Sequence, residues 1–244
     1  RIPGWLLKPR VFPVAMKASP LLRAWLRRLD GLRVQLRTRW RWEGWRDGRA
    51  VFDTPEGPQA IDADLTILAM GGASWRRLGT DGAWAAQMPD SVAPFQAANV
   101  GLRVNWSPHM ARWHGQPLKG VAFTAGDAAS RGEAIITAKG LEGGGIYSVS
   151  AAVRDGAPLV VDLLPDLSHA VVAERLAQQS PKASLATRLR KALRLDGARA
   201  ALLNEFGRPF GADLAATLKA LPMRHAGVLP LDEAISTAGG LRFD

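Results

Sequence analysis

The chain contains no cysteine. That excludes a disulfide framework, a zinc–thiolate site and a cysteine nucleophile, and it fits a reducing, cytoplasmic setting. Tyrosine is almost as scarce, with Tyr147 the only one. No apolar run approaches the roughly 20 residues that a membrane-spanning helix needs, so no membrane partner is expected. The first residues, RIPGWLLKPR, lack the apolar core and small-residue cleavage site of a signal peptide. They also lack a starting methionine, which fits a chain that begins within a longer protein and equally one with a processed end.

Acidic charge is short in one place only. Residues 1–50 hold 13 Lys and Arg against 3 Asp and Glu, whereas residues 51–244 hold 19 of each, so the whole net charge of +10 lies in the first fifth. A basic segment studded with tryptophan could bind nucleic acid. The plainer reading is a helix and strands with an arginine-rich polar face, because the segment carries ordered periodicity. Only 7 of the 32 bases are Lys, a bias that genome composition can produce on its own.

What is present is ample: 244 residues, 47% hydrophobic, with 25 Gly and 16 Pro as punctuation. That is enough chain for one large domain or two modest ones. Ser19-Pro20 reads as a helix start, with Leu22, Trp25, Leu26 and Leu29 on one face and Gly31 as the stop. Residues 32–42, LRVQLRTRWRW, switch to period two and predict a strand. Glu43-Gly44 and Asp47-Gly48 are turn signals. Short strands at 49–53 and 59–62 complete an antiparallel meander that feeds a strand at 64–70. Further strands are predicted at 99–106, 118–124, 133–138 and 159–163, with a glycine loop entering a helix at 141–153. Four helices are predicted at 168–179, 184–194, 197–206 and 212–221, with Ser168 and Ser184 as caps. After Pro222 the chain turns extended and ends in AISTAGGLRFD.

The stretch DLTILAMGGASWRRLGTDG (64–82) stops an apolar run on a glycine pair. Such a pair lets the backbone approach something closely, either a ligand or a packed neighbour. Ser74 invites a nucleophile-elbow reading, but that motif needs glycine two residues after the serine and Arg76 stands there. The histidines at 109, 114, 169 and 225 show no metal-ligand spacing, and no metal site is expected. Tyr147 is a candidate substrate-side group, or a core tyrosine with a bonded hydroxyl.

Helix, meander, acidic residue, apolar strand and A-x-G-G follow the layout of two-dinucleotide-binding flavoproteins. The chain resembles the FAD-dependent oxidoreductases known as NAD(FAD)-utilising dehydrogenases, related to the aminoacetone oxidase family and to BaiN-like flavoproteins. The matching stretches are RVFPVAMKASPLLRAWLRRL (10–29), ADLTILAMGGASWRRLGTDG (63–82), RGEAIITAKGLEGGGIYSVS (131–150), VDLLPD (161–166) and AISTAGG (234–240). The resemblance implies an α+β fold: a partial Rossmann-like FAD domain with its β-meander (1–95), an inserted β-rich domain (96–165), a helical subdomain (166–222) and a return segment (223–244). It implies hydride transfer through FAD in a longer parent, with NAD(P)H as a possible donor, a small-molecule substrate and no sequence-specific nucleic acid. The cofactor-binding residues it implies are Ala69, Met70, Gly71 and Gly72 at the strand end, the backbone of Trp40 near the adenine, and Arg10 with the Phe12-Pro13 turn facing the flavin. By internal packing alone, Trp40 would be a core residue, Arg10 a solvated charge and Pro13 a turn former.

Two departures accompany the resemblance. The glycine-rich dinucleotide fingerprint of such proteins would precede residue 1, and their closing segment would follow residue 244. Many relatives also carry Thr-His followed by Gly-x-Ser-Gly-Pro where this chain has Thr137-Ala138-Lys139-Gly140-Leu141-Glu142-Gly143-Gly144, which removes any histidine chemistry there. No catalytic residue is assigned, because a flavin carries the hydride chemistry itself.

Overall fold

The structure is a computed structural model that describes residues 4–7 and 10–243, with side chains from Phe12 onward. Two compact units emerge, Arg1–Thr66 and Ile67–Asp244. Every strand pairing among the described residues is antiparallel. No helix among them is long and apolar enough to cross a membrane.

The first unit opens on a hairpin of β1 (Gly4–Leu7) and β2 (Arg10–Pro13). Helix α1 (Ala18–Gly31) follows, flanked by Lys17, whose side chain caps nothing. The expected Ser19 cap therefore lies inside the first turn, with Pro20 where its missing N–H costs least. The meander is β3 (Arg41–Arg46), β4 (Arg49–Asp53) and β5 (Gln59–Ile61). Asp47-Gly48 makes the predicted turn, both residues having positive φ (49° and 76°) as a two-residue hairpin loop demands. Gly44 is not a turn. It sits inside β3 at a bulge, with φ of 106° and a register shift beside it.

Two predicted strands need correction. Residues 32–40 form none. They have no partner strand, Val34 and Leu36 stand exposed, and Arg33 and Arg39 adopt positive φ, which interrupts any extended run. Residues 64–70 likewise lie outside every ladder, and Leu65 and Ile67 are 77% and 78% exposed. Apolar alternation makes a strand only where a neighbouring edge accepts its backbone groups.

The second unit carries the core. Its strands are β6 (Val92–Asn99), β7 (Leu102–Arg103), β8 (Pro117–Leu118), β9 (Ala122–Ala125), β10 (Ala128–Ser130), β11 (Ala134–Ile136), β12 (Gly140–Glu142), β13 (Leu159–Asp162), β14 (Leu221–Met223) and β15 (Ser236–Leu241). Its helices are α2 (Gly144–Tyr147), α3 (Ser150–Arg154), α4 (His169–Ala177), α5 (Leu185–Leu193), α6 (Gly197–Gly207) and α7 (Leu214–Lys219). One four-stranded sheet runs β7-β12-β11-β8, a second runs β10-β9-β13-β14, and β15 pairs with β6. Leu102, Leu118, Phe123, Ile136 and Leu141 from both four-stranded sheets are fully buried in one core that also takes Leu189, Leu202 and Leu218 from the helices. Strands outnumber helices across 99–163, and 166–222 is mainly helical, the α+β arrangement expected.

The helix starts follow local chemistry. Ser168 Oγ accepts from the Val171 N–H and Ser184 Oγ from the Thr187 N–H, as the sequence predicts. Asp213 caps α7 through the Ala216 N–H at 2.8 Å. Lys219, ending α7, pairs with Asp162 of β13 at 2.7 Å and donates to the carbonyls of Leu164 and Leu167. One ammonium group thereby joins the helical block to the sheet.

Candidate functional site

Ala69, Met70, Gly71 and Gly72 come together at one cavity of about 350 Å³, closed by Trp84, Phe95 and the end of β15 at Thr237, Gly239, Gly240 and Leu241. Backbone ties hold the segment that follows the glycines. The Trp75 N–H donates to the Asp232 carbonyl at 3.1 Å and the Arg76 N–H to Asp232 Oδ1 at 2.7 Å. The Trp75 indole N–H reaches the Ala234 carbonyl at 2.9 Å. The chain from 72 to 76 is thereby laid alongside the residues entering β15.

Each glycine meets a different demand. A Cβ on Gly72 would lie 1.8 Å from Thr237 Oγ1, so β15 itself requires glycine there. Gly71 has φ of 72°, and its carbonyl accepts from the Trp84 indole N–H at 3.2 Å. Trp84 stands edge-on to Phe95, with ring centroids 5.6 Å apart. Gly239 has φ of 88°, and a Cβ on it would lie 2.3 Å from the Pro94 carbonyl oxygen. It occupies an irregularity of β15 against β6, where the register shifts between Ala238 and Gly240. The cavity wall therefore combines bare backbone at its glycines with aromatic and aliphatic side chains.

None of the described residues lining the cavity is ionisable. Such a wall suits a flat, uncharged ring system and offers nothing to neutralise a diphosphate. The resolved pKa changes lie elsewhere. Asp213 is held below the usual carboxylate range by the Ala216 N–H and then by His169, whose Nε2 is 2.8 Å away. Asp155 is lowered, and Arg154 raised, by the hydrogen-bonded pair the two form.

Trp40 belongs to the first unit. Its half-buried ring packs 5.6 Å from that of Phe52, with the Arg37 guanidinium 5.8 Å from its centroid. The side chain of Arg10 lies outside the described ones, while Pro13 opens a turn closed by the Met16 N–H at 2.9 Å. Tyr147 ends α2, and its carbonyl accepts from Asn99 Nδ2 at 3.0 Å and Ser150 Oγ at 3.1 Å. Trp84, Phe95, Thr237, Gly239 and Gly240 were not singled out as site residues from sequence. One signal was available: T-A-G-G at 237–240 repeats the pattern of A-M-G-G at 69–72.

No curated protein matches the chain. Residues 96–236, more than half of it, match the family model described as HI0933-like protein barrel and H2TH domain. That span starts within β6 and ends at the first residue of β15, so it covers both four-stranded sheets and all the helices from α2 to α7. The chain belongs to this HI0933-like family, whose members include FAD-dependent oxidoreductases.

Proposed function

We propose that the chain is the central part of a flavin-dependent oxidoreductase, and that the cavity at Ala69–Gly72 receives the flavin ring. The observation that carries the reading is the uncharged backbone cradle itself, formed where two glycine pairs meet. Its volume falls at the lower end of the roughly 300–1,000 Å³ typical of small-molecule sites, enough for a ring system but not a whole dinucleotide. The residues fit the flavin portion of FAD and do not fit its diphosphate. When bound, the flavin would supply hydride transfer.

The protein's own contribution is positional. Gly71 and Gly240 line the cavity with bare backbone, and the Trp84 indole fixes the Gly71 carbonyl. On this reading Trp40 and Arg10 serve the rest of the cofactor, and residues 1–95, 96–165, 166–222 and 223–244 act as FAD-domain portion, β-rich insert, helical subdomain and return segment. The substrate is a small molecule reached from the same cavity.

The test is a titration of the chain with lumiflavin, which is the ring alone, and with FAD. Flavin fluorescence should be quenched in both cases, because the ring is the part that the cavity receives. Ala69→Trp, which places an indole in the cavity, should abolish the quenching. Binding of FAD with no binding of lumiflavin would place the contacts on the nucleotide and overturn the assignment, as would quenching that survives Ala69→Trp.

A further inference from the structure

A second cavity, of about 1030 Å³, lies in the second unit between the 3-10 helix Pro108–Trp113 and helices α5 and α6. It shares no residue with the glycine cradle. Its floor is apolar: Met110, Leu189 and Leu195 form the base, and Ala200 and Ala201 leave the facing side of α6 low.

The 3-10 helix runs antiparallel to α6. At one end, Ser107 donates its backbone N–H and its hydroxyl to the two oxygens of Glu205, at 2.8 and 2.6 Å. At the other, the nearest atom to a Cβ built on Gly197 belongs to the Trp113 ring, 4.0 Å away. The groove therefore follows α6 from Gly197 to Arg208, a length of about 16 Å at 1.5 Å per residue. Arg112, beside Trp113, marks the first end and Arg208 the second, with Arg190 on the α5 wall. Among the described residues none of these three arginines lies in an ion pair. Two carboxylates also line the groove: Glu205 is engaged by Ser107, and Asp196, exposed, stands at the start of α6, so the three arginines outnumber them.

We infer that this groove binds an acidic amphipathic helix of a protein partner. An apolar floor about three helical turns long matches the i, i+3, i+4, i+7 face of such a segment. Positive charge at both ends asks for carboxylates spaced along the ligand, which a short single-headed amphiphile does not have. Nucleic acid fits less well. The one indole on the groove, Trp113, already carries the Arg112 guanidinium 4.8 Å from its centroid, the other ring is the small imidazole of His109, and the floor is aliphatic, so successive bases have no platform to stack on.

The experiment is a selection from a displayed library of 14-residue helical peptides against the 244-residue chain, counter-selected on its Ala201→Trp variant. Counter-selection removes peptides held by the arginine-rich first fifth. Enriched sequences should carry Leu, Ile or Met at helical spacing and Asp or Glu toward both ends. Arg112→Glu and Arg208→Glu, both surface changes, should each weaken a selected peptide at least tenfold while the thermal melt stays unchanged. Failure to enrich any peptide, enrichment without acidic bias, or affinity indifferent to both charge reversals would overturn the inference. An oligonucleotide whose affinity falls with Ala201→Trp as the peptides' does would reassign the groove to nucleic acid. Flavin titration of the same variants should be unchanged, so this outcome is independent of the cofactor reading.

Discussion

At the scale of single residues, the glycine pair at 71–72 separates two reasons for having no side chain. Gly71 is required by conformation, because its positive φ disfavours any L side chain. Gly72 is required by its neighbour, because Thr237 Oγ1 occupies the space where a Cβ would stand. Gly72→Ala should therefore destabilise the chain by about 1–3 kcal/mol, the usual scale of overpacking. In a Thr237→Ala background the same change should cost clearly less. The hydroxyl is then gone, and the nearest remaining atom, the position-237 Cβ at 3.0 Å, needs to yield only a few tenths of an ångström. Urea denaturation of the four proteins in a double-mutant cycle measures the coupling. Equal costs in both backgrounds would show that Thr237 is not what the glycine avoids. The sequence pointed to the glycines, yet it could not name Thr237, which is 165 residues away and is brought to them by the ties of Trp75 and Arg76 to the residues entering β15.

At the scale of elements, the helical block was legible because helix starts are set by local chemistry. Ser168 and Ser184, read as caps from the sequence, each accept from the N–H three residues on, with donor and acceptor within one turn, and Asp213, not singled out there, does the same. The α7 cap also carries a pH signature. The folded Asp213 carboxyl titrates below its unfolded counterpart, chiefly because the Ala216 N–H bonds its charged form and then because His169 stands beside it. Its contribution is thus present above the ordinary carboxylate range, near pH 4, and is lost as pH falls through the lower folded value. The melting temperature of the native chain should exceed that of Asp213→Asn at pH 7, and the gap should close toward pH 3. A gap constant across that range would remove the charge from the account. Strands were less legible for the opposite reason. Residues 32–40 and 64–70 have strand-like patterns but no partner edge, whereas β7 and β8, two residues each, are strands only because β12 and β11 lie beside them. A ladder is a property of two segments, and a sequence window shows one.

At the scale of the whole molecule, the basic excess sits at the start of the chain. Residues 1–50 hold 13 Lys and Arg against 3 Asp and Glu, and the described ion pairs of the first unit are Arg41–Glu43 and Arg49–Asp62, both exposed. Exposed pairs of this kind contribute about 0–1 kcal/mol and leave most of the field uncompensated. The arginines of α1 at 23, 27 and 28 are all exposed, and no acidic residue stands in its first turn. Such a surface attracts polyanions through counterion release, whatever their sequence. Two unrelated oligonucleotides should bind the chain with equal affinity at 50 mM salt. If about six phosphates are neutralised, that affinity should drop about a thousandfold by 200 mM. Specific recognition behaves differently, because contacts to base edges discriminate between sequences and phosphate contacts alone do not. A tenfold preference for one oligonucleotide that persists at 200 mM salt would therefore make the first unit a nucleic-acid reader, and the plain arginine-rich polar face would no longer account for it.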